Sequence, residues 1–305
     1  MSLALLFPGQ GVQHVDMLRW LDAEPAAAPV EAALAARLGG NWRARVADDA
    51  WASRNDVAQP LIVGLSLAAW HALAPHLPAP AIVAGYSVGE LAACSAAGVF
   101  DAACALDLAQ QRAAAMDRSA GREPAGLLAV AGVPAHEVET LCARTGLAVA
   151  IRIGVDRCVV GGPLAALDAA MPTLAARGAE LTRLRVRVAS HTPSMAAAAA
   201  AFDELIVPLA WQRSRCVVAS NLDGAGRRDV ASLKHALAAQ IDHTVHWDRC
   251  MDTIAERQPR CVLEVGPGTS LARMWAARHP DVPVRSVDEF HSAQAVIAWV
   301  RRALS

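Results

Sequence analysis

An apolar, strand-length run at 81–84 leads without a break into Gly85-Tyr86-Ser87-Val88-Gly89-Glu90, and a helical stretch rich in alanine follows. This G-x-S-x-G between a strand and a helix constrains the fold more than any other feature of the chain. A serine on a sharp strand-to-helix turn leaves no room for side chains two residues to either side, and the start of the helix favours developing negative charge. Gly85 and Gly89 meet the first requirement, so Ser87 reads as a nucleophile at the carboxyl end of a sheet strand. The S-x-x-E spacing of Ser87 and Glu90 also suits a helix capping box, a structural reading of the same residues.

The rest of the chain alternates short apolar runs bounded by Gly and Pro with longer helical segments, which predicts an α/β fold with a mainly parallel sheet. Strands of that sheet are expected at 3–7, 81–84, 216–220 and 261–265, and helices at 60–75, 88–97, 101–118, 194–206, 231–240 and 246–257. Between 125 and 190 the order changes to strand, helix, strand, strand, helix, strand, with the last strand expected over 180–188. That order suits a ferredoxin-like small domain, 125–190, inserted in a larger domain formed by 1–124 and 191–305. With 305 residues, 54% of them hydrophobic and 19% charged, a large core is available to bury.

Lys and Arg number 28 against 29 Asp and Glu, so no overall basic field holds nucleic acid or an anionic membrane, and an anionic ligand must meet a local site. The apolar run at 3–7 ends in Pro8-Gly9, too short for a signal peptide or a membrane span. Seven widely spaced cysteines contain no C-x-x-C pair, which fits reduced thiols and a cytoplasmic setting, and no metal-ligand cluster stands out.

A serine nucleophile needs a base and an oxyanion site. Of ten histidines, His191 stands out, because it ends an extended run and precedes Thr192 and Pro193, which suit the N-cap and first position of a helix. Phe7-Pro8-Gly9-Gln10-Gly11 describes a tight loop after the first strand, where ligands bind in open α/β sheets, although a plain turn accounts for it equally. An α/β-hydrolase esterase or thioesterase shares G-x-S-x-G and places an acid and a late histidine after the serine; Asp288 and His291 have that order.

Taken together, FPGQG at 7–11, GYSVGE at 85–90, QQRAAAM at 110–116, VASH at 188–191, SNLDG at 220–224, QIDHTVHW at 240–247 and EVGPG at 264–268 resemble the malonyl-CoA:acyl carrier protein transacylase family. The resemblance implies an α/β-hydrolase-like domain with a ferredoxin-like insertion, and an enzyme that moves malonyl from coenzyme A to a carrier-protein thiol through an ester on Ser87. It implies His191 as general base, the backbone N–H groups of Val88 and Gln10 as oxyanion hole, and the Gln240 carbonyl as the group orienting His191. It implies Arg112 as the holder of the free malonyl carboxylate, and places Gln59 and Asn221 near the substrate. No cofactor is implied; the acceptor is an acyl carrier protein bearing a phosphopantetheine-type thiol.

Tyr86 stands where the family usually has histidine, Ala113 where it has glycine, and residues 151–158 replace an asparagine-rich strand. GYSVGE is similar to the malonyl-transferring (epsilon) subunit of malonate decarboxylase, which implies further decarboxylase subunits as partners. A malonyltransferase of fatty acid or polyketide synthesis is the alternative.

Overall fold

A computed structural model describes residues 2–121 and 123–305. In chain order its strands are β1 (Leu3–Phe7), β2 (Ile82–Gly85), β3 (Ala125–Ala131), β4 (Ala148–Arg152), β5 (Arg157–Pro163), β6 (Glu180–Arg183), β7 (Val217–Ala219), β8 (Gly226–Arg227), β9 (Val245–His246), β10 (Cys261–Glu264) and β11 (Val284–Ser286). They form two sheets, ordered β11-β10-β1-β2-β7-β8 and β6-β3-β5-β4-β9.

The first sheet is parallel from β11 to β7, with β8 antiparallel at its edge. Every residue of β1, β2 and β10 is buried. This is why these strands read as continuous apolar runs, since a parallel sheet is covered on both faces. Along β1 the side chains divide by the period of two: Leu3, Leu5 and Phe7 enter the main core, with the long helix Asn55–Leu73. Ala4 and Leu6 face a second core that holds Trp247 and Trp275. Leu127, Ile151 and Val159 of the smaller sheet join that second core. The opposite face of the smaller sheet packs Leu128, Val130 and Val160 against the helices Ala135–Thr145 and Leu164–Ala175.

Several expected elements shift. The helix expected from residue 60 begins at Asn55, with Pro60 inside it. Proline favours a first turn, which is why the sequence suggests a start there, but the buried apolar face carries the helix through it. The strand expected over 180–188 ends at Arg183; the Leu184 N–H still donates to Leu127 O at 3.0 Å, and Leu184 and Val186 line a cavity described below. Helices at Ala28–Leu38, Ser270–Arg278 and Ala293–Leu304, and strands β8 and β11, lie outside the expected set.

The segment 240–247 belongs to both sheets' surroundings. β9 pairs with β4 of the small sheet, although it lies in sequence beyond the segment 125–190, and Thr244 Oγ1 donates to Val149 O at 2.8 Å. In the same segment the His246 N–H donates to Asn221 O at 2.8 Å, and Ile241 O accepts from the His191 N–H at 2.8 Å.

Candidate active site

β1 and β2 end side by side, with Phe7 opposite Gly85 in the register, so the loops that follow them meet at one edge of the sheet. After Gly85 the chain turns through Tyr86, Ser87 and Val88 into the helix Gly89–Ala96. Ser87 sits at φ 54°, in the left-handed region, which costs a non-glycine residue about 1–3 kcal/mol and survives only where surroundings dictate it. A Cβ on Gly85 would lie 2.1 Å from Glu90 N, and one on Gly89 would lie 2.3 Å from Phe7 O. Both glycines are therefore required by the close passage of strand and helix.

The capping box does not form: the helix has no side-chain cap bond, and Glu90 Oε1 instead accepts from the Asn221 N–H at 3.0 Å. Asn221 Oδ1 accepts from the Ser87 N–H at 2.8 Å, while its Nδ2 donates to Gly85 O at 2.6 Å. The Asn221 carboxamide thus continues the hydrogen bonding of β7 past the end of the strand and clamps the turn. Asn221, expected near the substrate, is not among the residues lining the cavity in front of Ser87.

In front of Ser87, Oγ lies 2.7 Å from His191 Nε2. His191 Nδ1 lies 2.5 Å from Gln240 O. A carbonyl only accepts, so Nδ1 carries the proton and Nε2 presents a lone pair to the hydroxyl; the tautomer follows from this network. His191 itself sits at φ 62°. Burial, then the positive charge of Arg112, push its pKa down to about 3, against the opposing pull of the Gln240 carbonyl.

This gives a pH prediction. The base form of His191 persists well below the ordinary 6.5, so acylation measured from pH 8 to pH 5 shows no acid limb near 6.5. Stability behaves differently. Between 6.5 and about 3 the unfolded chain binds a proton that the folded site refuses, so the contribution of His191 to stability declines as pH falls through that window. An acid limb near 6.5 in the acylation rate contradicts the buried neutral base.

Arg112, on the helix Ala102–Ser119, is 1% exposed. Its Nη1 donates to Gln59 Oε1 at 2.8 Å, and its Nη2 reaches Ser87 Oγ at 3.4 Å and Gln240 Oε1 at 3.5 Å. Among the described residues its Nε has no partner. No ion pair among the described residues includes it. Burial lowers its pKa to about 10, with the charge of Glu90 acting in the other direction, so the guanidinium stays charged at neutral pH. Glu90, itself buried, is pushed up to about 7 by desolvation and is a weak counterion.

Gln10, Gln59, Ser87, Arg112 and His191 line one cavity of about 50 Å³, closed by Tyr86, Met116 and Leu184 among others. Gln10, Tyr86, Leu184 and Val186 also line an adjoining space of about 280 Å³. The backbone N–H groups of Gln10 and Val88 have no acceptor among the described residues. The Gln10 side chain is held by Asn55 Oδ1 at 3.0 Å. A larger cavity of about 540 Å³ is lined by Thr192 and Pro193 but by neither Ser87 nor His191.

The late acid and histidine of the hydrolase alternative do not meet the serine. Asp288 is 2.6 Å from His14 Nε2 and accepts from the N–H groups of Leu18 and Gly268, while His291 is exposed. Two site residues and one side-chain role escaped sequence reasoning. Glu90 was visible only as a cap, the Gln240 side chain was hidden behind its carbonyl, and Asn55 carried no signal.

The acyl transferase domain model matches residues 5–301. The chain belongs to the acyl transferase domain family. Among its relatives in sequence is the malonyl CoA-acyl carrier protein transacylase of Mycobacterium bovis, 34% identical over 290 residues, 93% of this chain and 96% of that protein. A second acyl transferase relative is a segment of a phenolphthiocerol/phthiocerol polyketide synthase of Mycobacterium tuberculosis, 31% identical over 91% of this chain but 19% of the synthase. In structure the chain is similar to the acyl-carrier-protein S-malonyltransferase of Burkholderia pseudomallei, with TM-score 0.91, 26% identity and coverage of 98% of this chain and 100% of that one. The mixed α/β fold and its two sheets are thus those of an acyl transferase domain.

Proposed function

We propose that this acyl transferase moves a malonyl group from malonyl-CoA to the thiol of an acyl carrier protein through an ester on Ser87. The observation that carries this reading is the buried, charged Arg112, held only by neutral partners, with Nη2 3.4 Å from the nucleophile oxygen. A buried cation without a counterion is costly, and a substrate carboxylate removes that cost. Guanidinium and carboxylate also match as planar forks. The identity of 34% to the Mycobacterium bovis transacylase supports the same reading.

In the first half-reaction the Ser87 hydroxyl gives its proton to His191 Nε2 as Oγ bonds to the thioester carbon. The oxyanion is met by the free N–H groups of Val88 and Gln10. The C–S bond breaks, the imidazolium returns its proton to the departing CoA sulfur, and malonyl-serine remains. In the second half the carrier thiol gives its proton to His191 and attacks the ester carbon; the C–O bond breaks and Ser87 recovers its proton. His191 keeps its Nδ1–H on Gln240 O throughout, so the carbonyl stabilises the transient imidazolium in place of a carboxylate.

We read the acceptor as the carrier protein of malonate decarboxylase, with other decarboxylase subunits as partners, on the strength of GYSVGE; a carrier of fatty acid or polyketide synthesis is the alternative. The order β6-β3-β5-β4, with two helices on one face, supports a ferredoxin-like reading of the small lobe, set beside an α/β-hydrolase-like main body. Seven free cysteines, six of them buried, suit a reducing cytoplasm. The test is intact-mass measurement after malonyl-CoA treatment, followed by challenge with each carrier in its thiol form. One malonyl adduct, discharged by the decarboxylase carrier and not by a fatty acid carrier, is expected. Discharge by the fatty acid carrier alone reassigns the acceptor, and no adduct defeats the reading.

A further inference from the structure

Arg112 is wrapped by two carboxamides where carboxylates of the same length would bind it more strongly. Gln59, 1% exposed, gives Oε1 to Nη1 at 2.8 Å, and Gln240, fully buried, gives Oε1 to Nη2 at 3.5 Å. Arginine has no acceptor, so in both residues the oxygen, not the amide nitrogen, faces the cation. The nitrogen of Gln59 finds only Met116 Sδ at 3.5 Å, a weak acceptor. The nitrogen of Gln240 donates to Ser87 O at 3.3 Å. A glutamate at position 59 would replace a neutral hydrogen bond by a charge-assisted one at no change in shape. Against this, a glutamate would lose the donor to Met116 Sδ and carry its own desolvation cost.

Resting on the malonyl reading above, we infer that Gln59 and Gln240 are specificity-determining residues whose lack of charge, rather than their hydrogen bonding, keeps Arg112 open to a carboxylate. A carboxamide oxygen solvates the guanidinium and leaves its charge unmatched. An incoming malonyl carboxylate then gives the cation its ion pair. A carboxylate already in place at 59 would neutralise the cation, and the substrate anion would bring an excess negative charge into a closed, desolvated space. Acetyl, with no charge to place, gains nothing from the bare cation and loses little when it is matched. Gln240 extends the arrangement, because its two amide atoms join Arg112 to the carbonyl of the nucleophile residue.

Two variants separate charge from hydrogen bonding. Gln59→Glu keeps the hydrogen bond and adds charge; Gln59→Leu removes the hydrogen bond and adds none. The quantity read is the ratio of kcat/KM for malonyl-CoA to that for acetyl-CoA, beside the wild-type malonyl adduct by intact mass and the folding of each variant by circular dichroism. The ratio is expected to fall about 100-fold or more in Gln59→Glu and to stay within about tenfold of wild type in Gln59→Leu, on the scale of truncated charge pairs. A packing or hydrogen-bonding role gives the reverse order, with leucine the more damaging. Retention of the wild-type ratio in Gln59→Glu, or an equal fall in Gln59→Leu, overturns the inference. Should the glutamate variant fail to fold, the leucine variant decides alone: a ratio within tenfold supports the inference, a hundredfold fall defeats it. Absence of any malonyl adduct on the wild-type enzyme instead defeats the malonyl reading itself.

Discussion

Ser87→Ala takes up no mass from malonyl-CoA and transfers no malonyl to any carrier, while its thermal midpoint stays within a few degrees of wild type. The loss is complete because ester formation needs the Oγ that His191 Nε2 faces; Ser190 also lines the cavity, but among the described residues its hydroxyl has no hydrogen bond to His191. Six of the seven cysteines are buried, and Cys104, the partly exposed one, is not among the cavity residues. Folding is expected to survive because the left-handed turn is held through the Ser87 backbone and not through its side chain. Ser87 N–H goes to Asn221, and Ser87 O accepts from both Glu90 N–H and the Gln240 amide. Alanine makes the same backbone bonds. Intact-mass spectrometry of wild type and variant, each mixed with malonyl-CoA, reads the result directly. A stoichiometric adduct on the variant refutes Ser87 as nucleophile.

Arg112→Ala lowers kcat/KM for malonyl-CoA by roughly the 2 to 5 kcal/mol of a truncated buried charge pair, and that for acetyl-CoA by much less. The asymmetry follows from burial. Wild-type Arg112 lies among Gln59, Gln240 and Ser87 with no carboxylate bonded to it, so the malonyl anion has one cation to meet. Without it the anion enters an enclosed space unpaired. The variant also relieves a stability cost, the desolvation that lowers the pKa of Arg112 to about 10, so its thermal midpoint is not expected to collapse. Steady-state kinetics with both thioesters, with circular dichroism as the folding check, decide the matter. Equal losses for malonyl and acetyl mean that Arg112 supports the fold or the CoA moiety, and the carboxylate role then has to be abandoned.

Much of this site was written in local pattern. Gly85 and Gly89 announce the nucleophile turn through their spacing about Ser87: the contact Gly85 relieves, against Glu90, is local in sequence, whereas the one Gly89 relieves, against Phe7, comes from the neighbouring strand. The strands at 3–7 and 261–265 were legible because burial on both faces leaves an unbroken apolar run. Other features depend on contacts remote in sequence. Nothing near Asn221 announces that its side chain would clamp Gly85 and Ser87, more than 130 residues earlier in the chain. Glu90 carried a false local meaning, since S-x-x-E satisfies a capping pattern while its partner in space is the Asn221 backbone. Strand β11 and the helix Ala293–Leu304 were missed because one is three residues long and the other interleaves Arg301 and Arg302 with its apolar positions. The end of β6 was overextended because alternation through residue 188 looks like a strand, although Leu184 and Val186 turn into the cavity.

The segment 240–247 acts as a rivet through both sheets. It holds the imidazole through Gln240 O and the His191 backbone through Ile241 O, and within a few residues it is stitched to β4 and to Asn221. A clam-shell opening of the small sheet away from the large one would drag β9 with it and pull the imidazole from the serine, breaking the 2.7 Å contact before any gap widened. The space shared by Gln10, Tyr86, Leu184 and Val186 then offers the acyl group an entry that requires no such opening.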